Sequence, residues 1–203
     1  MDGAERKEGC PMRLFLASAS PRRRELMALC GLPFTVEVSK AEETAQGAPD
    51  AIVTQNALLK ARAVFARHPE DAVLSADTVV YLPEAGRVLG KPKDEADAIR
   101  MLRLLSGREN LVFTGVALVG PGFEDARAEV SHVFLDDMTD AEIRAYAATG
   151  EPMDKAGAYA VQGKASLFIR SVTGSPSNVI GLPMHLVRRM LSNHGLFVFS
   201  STI

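Results

Sequence analysis

The sequence has few of the features that would tie a chain to a membrane, a disulfide scaffold or a nucleic acid. Its 203 residues include no tryptophan and two cysteines, and no apolar run is long enough to cross a bilayer. The 23 basic and 25 acidic residues leave a net charge of −2, so no overall positive field favours DNA. Cys10 and Cys30 form no metal-spaced or paired pattern, which fits a reducing cytoplasm, and we expect Cys30 to be a buried hydrophobic side chain. Any anion site must therefore be built locally.

Several common catalytic motifs are also missing. GRVLGKPK resembles a phosphate-binding P-loop, but three residues separate its glycines and Pro92 replaces the hydroxyl residue. GAYAVQGKA has five residues between its glycines and Ala165 after the lysine. The chain contains no GxGxxG, HExxH or GxSxG pattern, and its four histidines are scattered, which argues against a histidine-built zinc site.

The periodicity of apolar residues predicts a mixed α/β fold with a central sheet and flanking helices. Strands are predicted over residues 13–17, 34–38, 72–82, 88–89, 111–119, 126–135 and 166–172, and helices over residues 21–30, 49–67, 93–105, 140–148 and 182–192. On the second helix Ile52, Leu59 and Ala63 are spaced for one buried face. Residues 1–12 are charged and lack the apolar segment of a signal peptide, so we expect a flexible extension, followed by a single domain over residues 13–203.

The stretch LASASPRRRELM, residues 16–27, places three arginines at the junction of a strand and a helix. Cations are electrostatically unfavourable at a helix N-terminus, where the helix dipole is positive. An anion at the same place would resolve the conflict, because backbone N–H groups and guanidinium groups could both bind it. A solvated basic patch is the alternative. We favour a phosphate site that includes Ser18, Ser20, Arg22 and Arg23.

Two further clusters place charged side chains in apolar surroundings. In SADTVV, Asp77 interrupts a β-like run, and a buried carboxylate is costly unless it is paired, metal-bound or catalytic. In LGKPKDEA, Lys91 follows the hairpin after this strand, which returns it to the neighbourhood of Asp77. Such a lysine could contact a metal-bound phosphate. The sequence gives weaker support to Lys60, which could be a solvated helix lysine, and to Glu42 and Glu43, since paired surface acids are common.

The segment GEPMDKAGAYAVQGKAS, residues 150–166, combines small residues with Asp154, Lys155 and Gln162. Small residues let the backbone approach a ligand closely, and the amide of Gln162 can present both a donor and an acceptor to the edge of a base. A glycine-rich surface loop is the alternative. Its apolar interruptions favour an ordered, partly buried loop.

These clusters, in this order, resemble the Maf family of nucleoside triphosphate pyrophosphatases. The matching stretches span about residues 14–191 and are LASASPRRRELM, SADTVV, LGKPKDEADAIRMLRLLSGREN, FTGVAL, GEPMDKAGAYAVQG and GSPSNVIGLP. The form GEPMDKAGAYAVQG is similar to the subfamily that acts on dTTP and UTP.

The resemblance implies an elongated mixed sheet with two lobes around a cleft, related to the inosine triphosphate pyrophosphatases. It implies hydrolysis between the α- and β-phosphates of dTTP and UTP, with a divalent cation, Mg²⁺ or Mn²⁺. Asp77 would be the catalytic base and a metal ligand. The resemblance ties substrate choice to Arg22, Thr78 and Gln162, and phosphate binding to Arg23, Lys60 and Lys91. Asp154 and Lys155 belong to the matching DKAG motif.

The resemblance leaves other functions open. Modified pyrimidine nucleotides are the nearest alternative substrates, because one methyl group is worth only ~1–3 kcal/mol in a pocket. A non-catalytic nucleotide-binding regulator of septum formation would keep the arginines but would not need Asp77. Family members are often dimers, so a homodimer is one expected assembly; no nucleic acid or membrane partner is expected.

Overall fold

The structure is a computed structural model that describes residues 12–197. Apart from Met12, the extension predicted over residues 1–12 lies outside the described residues. No helix in the described part of the chain is both long and apolar enough to cross a bilayer.

Within the described residues, seven strands form one mixed sheet. They are β1 (Leu14–Leu16), β2 (Thr35–Val36), β3 (Ala72–Leu82), β4 (Arg87–Leu89), β5 (Glu109–Gly120), β6 (Phe123–Leu135) and β7 (Ile169–Thr173). Their order is β2-β1-β3-β5-β6-β7, and β4 also pairs with β3. The pairs β1–β2 and β1–β3 are parallel, and the others are antiparallel. The predicted mixed α/β fold is confirmed.

In the part of the chain that the structure describes, six α-helices cover the sheet: α1 (Pro21–Ala28), α2 (Pro49–Phe65), α3 (Glu95–Leu105), α4 (Asp140–Ala147), α5 (Pro176–Ile180) and α6 (Met184–Asn193). Alternate side chains of β1 and β3 point to opposite faces, as strand geometry requires. Phe15 and Val73 pack under α2, whereas Leu16 and Leu74 join a core with α1 and α6. A separate core lies at the other end of β3, against α3 and α4. These two cores at opposite ends of one strand form the two lobes.

Most predicted elements are present with shifted ends. Helix α4 begins with a capping box, in which the Thr139 and Glu142 side chains accept hydrogen bonds from each other's backbone N–H groups. The predicted strand over residues 166–172 begins late, because Lys164–Phe168 forms a 3₁₀ helix. Helix α5 was not predicted, because its five residues are too few for a periodic pattern.

The buried face predicted for α2 is wrong in part. Ile52 is buried, but Leu59 and Ala63 are half-buried, and the fully buried positions include Val53, Ala57 and Ala61. The smallest side chains lie inward because α2 packs very close to the sheet. At Gly115 of β5, an added Cβ would lie 2.3 Å from the backbone of Val53. Glycine at this position therefore sets the distance between α2 and the sheet.

The middle of β3 has an open edge. Strand β5 pairs with one edge along Val73–Tyr81, so β1 and β4 must share the other. On that edge β1 pairs with residues 72–74 and β4 with residues 80–82. Within residues 12–197 no strand pairs with residues 75–79 on this second edge. The sheet therefore contains a gap beside Ser75–Val79, between the two lobes.

Candidate functional site

A cavity of about 290 Å³ opens at this gap in the sheet. Its walls come from the β1–α1 turn, the start of α1, β3, the segment after β4, the 3₁₀ segment over residues 151–162, and the end of α5. The structure brings to this one cavity the predicted site residues Ser18, Ser20, Arg22, Arg23, Lys60, Thr78, Lys91, Asp154, Lys155 and Gln162. Residues separated by more than 140 positions in the sequence thus line one concave surface.

The start of α1 is built around two serines. The hydroxyl of Ser20 caps the helix by accepting from the Arg23 N–H, and Pro21 occupies the first turn, where its missing N–H costs nothing. Ser18 accepts from the Ser20 N–H at 3.2 Å. The first turn of α1 contains no acidic side chain. The positive end of the helix dipole and the arginines therefore face the cavity together.

Arg23 is held by neutral partners. Its Nε donates to the Gly181 carbonyl at 2.7 Å, and its Nη2 donates to the Thr78 hydroxyl at 2.9 Å. Burial lowers the pKa of Arg23 below its ordinary value, and attraction to Asp77 and Glu43 opposes that change. Since an arginine stays protonated at physiological pH, this cation is oriented without being neutralised by a direct ion pair.

Arg22 instead contacts a carboxylate. Its Nη1 lies 3.0 Å from Asp154 Oδ2, and its Nη2 donates to the Asp154 carbonyl at 3.3 Å. The ammonium of Lys155 also contacts the Asp154 carboxylate, and it donates to the Glu151 carbonyl at 3.1 Å. The contact joins α1 of one lobe to the 3₁₀ segment of the other.

Asp77 points toward α2, on the opposite face of β3 from Thr78. It is 8% exposed, and donors from one face of α2 bind both carboxylate oxygens. Lys60 Nζ donates to Oδ1 at 2.6 Å, and Asn56 Nδ2 donates to Oδ2 at 2.9 Å. Lys60 also lies 2.7 Å from Glu43 Oε1. Lys60 and Glu43 line the cavity, so Asp77 lies directly behind them.

The far end of the cavity is less charged. Val80, Tyr159 and Val161 line it beside Gln162, which is exposed. The Tyr159 hydroxyl turns away and donates to Asn110 Oδ1 at 2.9 Å, and burial raises the pKa of Tyr159. The phenol therefore stays neutral and packs as an apolar wall.

Glu151 fixes the segment that carries Gln162. Its Oε1 accepts from the Tyr146 hydroxyl at 2.9 Å, and its Oε2 accepts from the Lys164 N–H at 3.1 Å. Burial opposes ionisation of Glu151, but these hydrogen bonds hold the pKa of its carboxyl below the usual range. A Cβ at Gly163 would lie 2.1 Å from Glu151 Oε1, so a larger residue next to Gln162 would displace this carboxylate. The predicted ordered loop is thus a set of 3₁₀ turns anchored on one carboxylate.

Sequence reasoning missed Asn56 and undervalued Glu43. Asn56 is 2% exposed and lies four residues before Lys60, so both side chains project from the same face of α2. This i, i+4 pair of polar residues on a buried helix face is a signal that could have identified it. Glu43 lies in a segment without regular structure, so no period in the sequence places it.

The side chains around Asp77 fit the divalent cation that the resemblance implies. Within residues 12–197 no group of three or more His, Cys, Asp and Glu side chains could hold a metal ion by itself. Asp77 and Glu43, however, converge on the same lysine nitrogen at 2.6 and 2.7 Å. Mg²⁺ is commonly bound by one or two carboxylates, with waters and substrate phosphates completing its ligands. Two carboxylates that already share one cation match that donor set.

Comparison with known proteins gives a consistent result. A family model described as Maf-like protein matches residues 13–194. A dTTP/UTP pyrophosphatase of Symbiobacterium thermophilum is 47% identical over 190 residues, covering 93% of this chain and 97% of that protein. A dTTP/UTP pyrophosphatase of Thermococcus gammatolerans is 48% identical over 177 residues, covering 87% and 94%.

A likeness to a solved structure supports the fold alone. The structure of the Staphylococcus aureus Ham1 protein superposes with a TM-score of 0.55 at 14% sequence identity, covering 90% of this chain and 99% of that chain. The two chains therefore share an architecture.

Proposed function

The chain belongs to the Maf-like protein family, and we propose that it hydrolyses dTTP and UTP to the nucleoside monophosphate and pyrophosphate. The observation that carries the proposal is the cavity at the gap in β3, which is lined by two arginines, a helix N-terminus and Lys60. Asp77, held by Lys60 and Asn56, lies directly behind this lining. The similarity to dTTP/UTP pyrophosphatases supports the choice of substrate.

The positive wall would bind the triphosphate. The N–H groups at the start of α1, the Ser18 and Ser20 hydroxyls, and the guanidinium groups of Arg22 and Arg23 all lie on the cavity. Such donors stabilise negative charge that develops on a leaving pyrophosphate. Each charge-assisted hydrogen bond contributes on the order of 1.5–3 kcal/mol, so each donor is worth roughly ten- to a hundredfold in rate. Lys60 and Lys91 would contact the same phosphates.

Asp77 would act as the general base. It would accept a proton from a water molecule whose oxygen forms a bond to the α-phosphorus, while the bond from that phosphorus to the bridging oxygen breaks and pyrophosphate leaves. Asp77 and Glu43 would hold Mg²⁺ or Mn²⁺, and such an ion would neutralise charge on the phosphate oxygens. No covalent intermediate with the protein is required.

Choice of base is assigned to the less charged end of the cavity. The amide of Gln162 would hydrogen-bond one edge of a pyrimidine, while Tyr159 and Val161 cover its face. A base that leaves this amide without a partner would be disfavoured. Thr78 would act indirectly, because its hydroxyl orients Arg23. Modified pyrimidine nucleotides are included in the proposed substrate range.

The proposal extends to the whole chain. We treat residues 13–203 as one nucleotide pyrophosphatase domain, because one sheet runs through both lobes. A cytoplasmic location is proposed from the cysteine usage, since Cys30 is a buried free thiol. A homodimer is proposed from the family resemblance, and light scattering after gel filtration would test it.

The central experiment compares Asp77→Asn with wild-type protein on a panel of canonical and modified nucleotides with Mg²⁺ or Mn²⁺, measuring pyrophosphate release. Loss of a general base should lower kcat by about 10²–10⁴-fold. Asp71→Asn is the matched control, because Asp71 is also a buried, cation-paired carboxylate but lies outside the cavity.

Three outcomes are informative. Release of pyrophosphate from dTTP and UTP by wild type and Asp71→Asn, but not by Asp77→Asn, supports the proposal. Equal activity of Asp77→Asn and wild type contradicts the role of Asp77. Nucleotide binding without any pyrophosphate release by wild type would favour the non-catalytic regulator of septum formation.

A further inference from the structure

Asn56 is the most deeply buried polar side chain in contact with Asp77, and nothing in the proposed reaction so far uses it. It is 2% exposed, and its amide makes three hydrogen bonds. Oδ1 accepts from the Thr44 N–H at 2.8 Å, while Nδ2 donates to the Thr44 carbonyl at 3.0 Å and to Asp77 Oδ2 at 2.9 Å. We propose that Asn56 is a positioning residue that anchors Asp77 through Oδ2 and leaves Oδ1 as the oxygen that faces Lys60 and takes part in the reaction. This inference rests on the proposed pyrophosphatase reaction.

The partners of Asn56 fix which way its amide points. The Thr44 N–H can only donate, while the Thr44 carbonyl and an ionised carboxylate can only accept. The amide must therefore present its oxygen to the first and its nitrogen to the other two. An aspartate at this position would have no proton to donate and would place a second negative charge against Asp77. A side chain with both a donor and an acceptor is needed.

The two donors on Asp77 differ in how readily they can leave. Asn56 lies inside the protein with every hydrogen-bonding group used. Lys60 has a flexible stem, its side chain is 13% exposed and lines the cavity, and its ammonium is shared with Glu43. When phosphate oxygens or a cation enter the cavity, Lys60 can turn toward the phosphates and free Oδ1. Asn56 cannot follow, so Oδ2 remains fixed.

Asn56 also connects Asp77 to the segment that carries Glu43. Its two bonds to the Thr44 backbone hold the residue directly after Glu43 in place. The Glu43 side chain is more than half exposed. Among the described residues, its one direct ion pair is with Lys60. One amide therefore sets the position of Asp77 and of the backbone that brings Glu43 to Lys60.

The test measures kcat and KM for dTTP with Asn56→Ala, Asn56→Asp and the smaller change Asn56→Ser. It also measures binding of a dTTP analogue whose α–β bridging oxygen is replaced by an imido group. Losing a hydrogen bond to a charged group should lower kcat by about ten- to a hundredfold. KM and analogue affinity should change by less than about threefold in Asn56→Ala and Asn56→Ser, because the arginine-lined wall is untouched. Asn56→Asp should lower kcat at least as much as Asn56→Ala, although it preserves the shape of the side chain.

Ser75→Ala is the matched control. Ser75 is fully buried, and its hydroxyl joins β3 to α2 by donating to the Ala57 carbonyl, without touching Asp77. It should lower the melting temperature while leaving kcat within about threefold of wild type.

The inference is overturned if folded Asn56→Ala or Asn56→Ser retains wild-type kcat, if KM rises while kcat does not fall, or if Ser75→Ala loses as much activity. Wild-type protein is assayed first, and absence of pyrophosphate release at that stage counts against the proposed function. Asn56→Ser is the variant on which the result is decided should the larger changes not fold.

Discussion

Arg22 and Lys155 face the cavity, and one carboxylate side chain, that of Asp154, pairs with both of them. Asp154 contacts both cations, where a phosphate group would have to bind. Burial opposes ionisation of Asp154, but the hydrogen bonds from Lys155 and Arg22 hold the pKa of its carboxyl below the usual range. This carboxylate occupies the position of an anionic ligand, so a substrate phosphate would have to compete with it for the two cations.

This competition leads to a prediction for Asp154→Asn. Removing the charge frees Arg22 and Lys155, so pyrophosphate should inhibit the variant more strongly than wild type. Because the Asp154 side chain is 57% exposed, solvent screening limits the gain to about two- to fivefold in the inhibition constant. Product-inhibition assays measure it. Weaker inhibition by pyrophosphate would mean that Asp154 helps to arrange the two cations rather than competing for them.

At the residue scale, local sequence signals identified the charged side chains of the site but not Asn56, whose amide binds Asp77. Arg22 and Arg23 were conspicuous because three arginines begin a helix without an acidic residue. Asp77 was conspicuous because it interrupts an apolar strand. Asn56 has no such contrast, since its buried neighbours on α2 include small alanines that carry little periodic signal. Its importance depends on where Thr44 and Asp77 lie in space.

At the scale of elements, Gly115 controls how close α2 comes to the sheet. Gly115 is directly opposite Asp77 in the β3–β5 register, and α2 crosses above it with backbone atoms of Val53 and Thr54. The small distance between α2 and the sheet lets the Asn56 and Lys60 side chains reach Asp77. This contact gives a physical reason for the glycine in the motif FTGVAL.

Gly115→Ala should therefore lower activity, although Gly115 lies on β5 and not on the strand that carries Asp77. The new methyl group would meet backbone atoms at 2.3 Å, and backbone cannot turn aside as a side chain can, so α2 must shift outward. Overpacking of this kind costs about 1–3 kcal/mol of stability, and we expect kcat to fall more than tenfold in the folded variant. Gly90→Ala is the control, because its Cβ would meet open space. Full activity with Gly115→Ala would show that the site tolerates movement of α2.

The elements themselves were largely predictable, and their ends were not. Strand β3 matches its predicted range, because a long apolar run between turn signals leaves few alternatives. Strands β5 and β6 extend past their predicted ends, because only Pro121 and Gly122 form the turn and the flanking polar residues still pair. The segment after α4 follows no period, because it is shaped by contacts to Glu151 rather than by a repeating pattern.

At the scale of the whole molecule, Asp71 fastens the start of β3 to the start of β1. It accepts from Arg13 Nη2 at 2.6 Å and also from the Arg13 backbone N–H. The Arg13 side-chain hydrogen bond is the main reason why the pKa of the Asp71 carboxyl lies below its ordinary value. A depressed carboxyl pKa stabilises the fold at neutral pH, and that stabilisation is lost as the pH falls through the folded-state value.

Asp71→Asn should therefore lower the melting temperature at pH 7 by about 2–6 °C, as expected for the loss of one or two kcal/mol in a chain of this size. The difference from wild type should shrink as the pH falls below about 4. Thermal unfolding followed by circular dichroism across that range measures the effect. A difference that stays constant with pH would assign the loss to shape rather than to charge.

The global arrangement was accessible only in outline. Alternating helices and strands predicted the fold class, but nothing local indicates that β1 and β4 share one edge of β3 and stop short of each other. That arrangement depends on pairings between distant segments.

The open edge of β3 has one last consequence. Because a single strand runs through both lobes, any rocking of one lobe against the other would turn about that strand, and points on a pivot travel least. Asp77 sits at this pivot, whereas Arg22 and Gln162 sit on the opposing arms. In such a rotation the position of Asp77 would change little, whereas the nucleotide-binding walls of the two lobes would move relative to it.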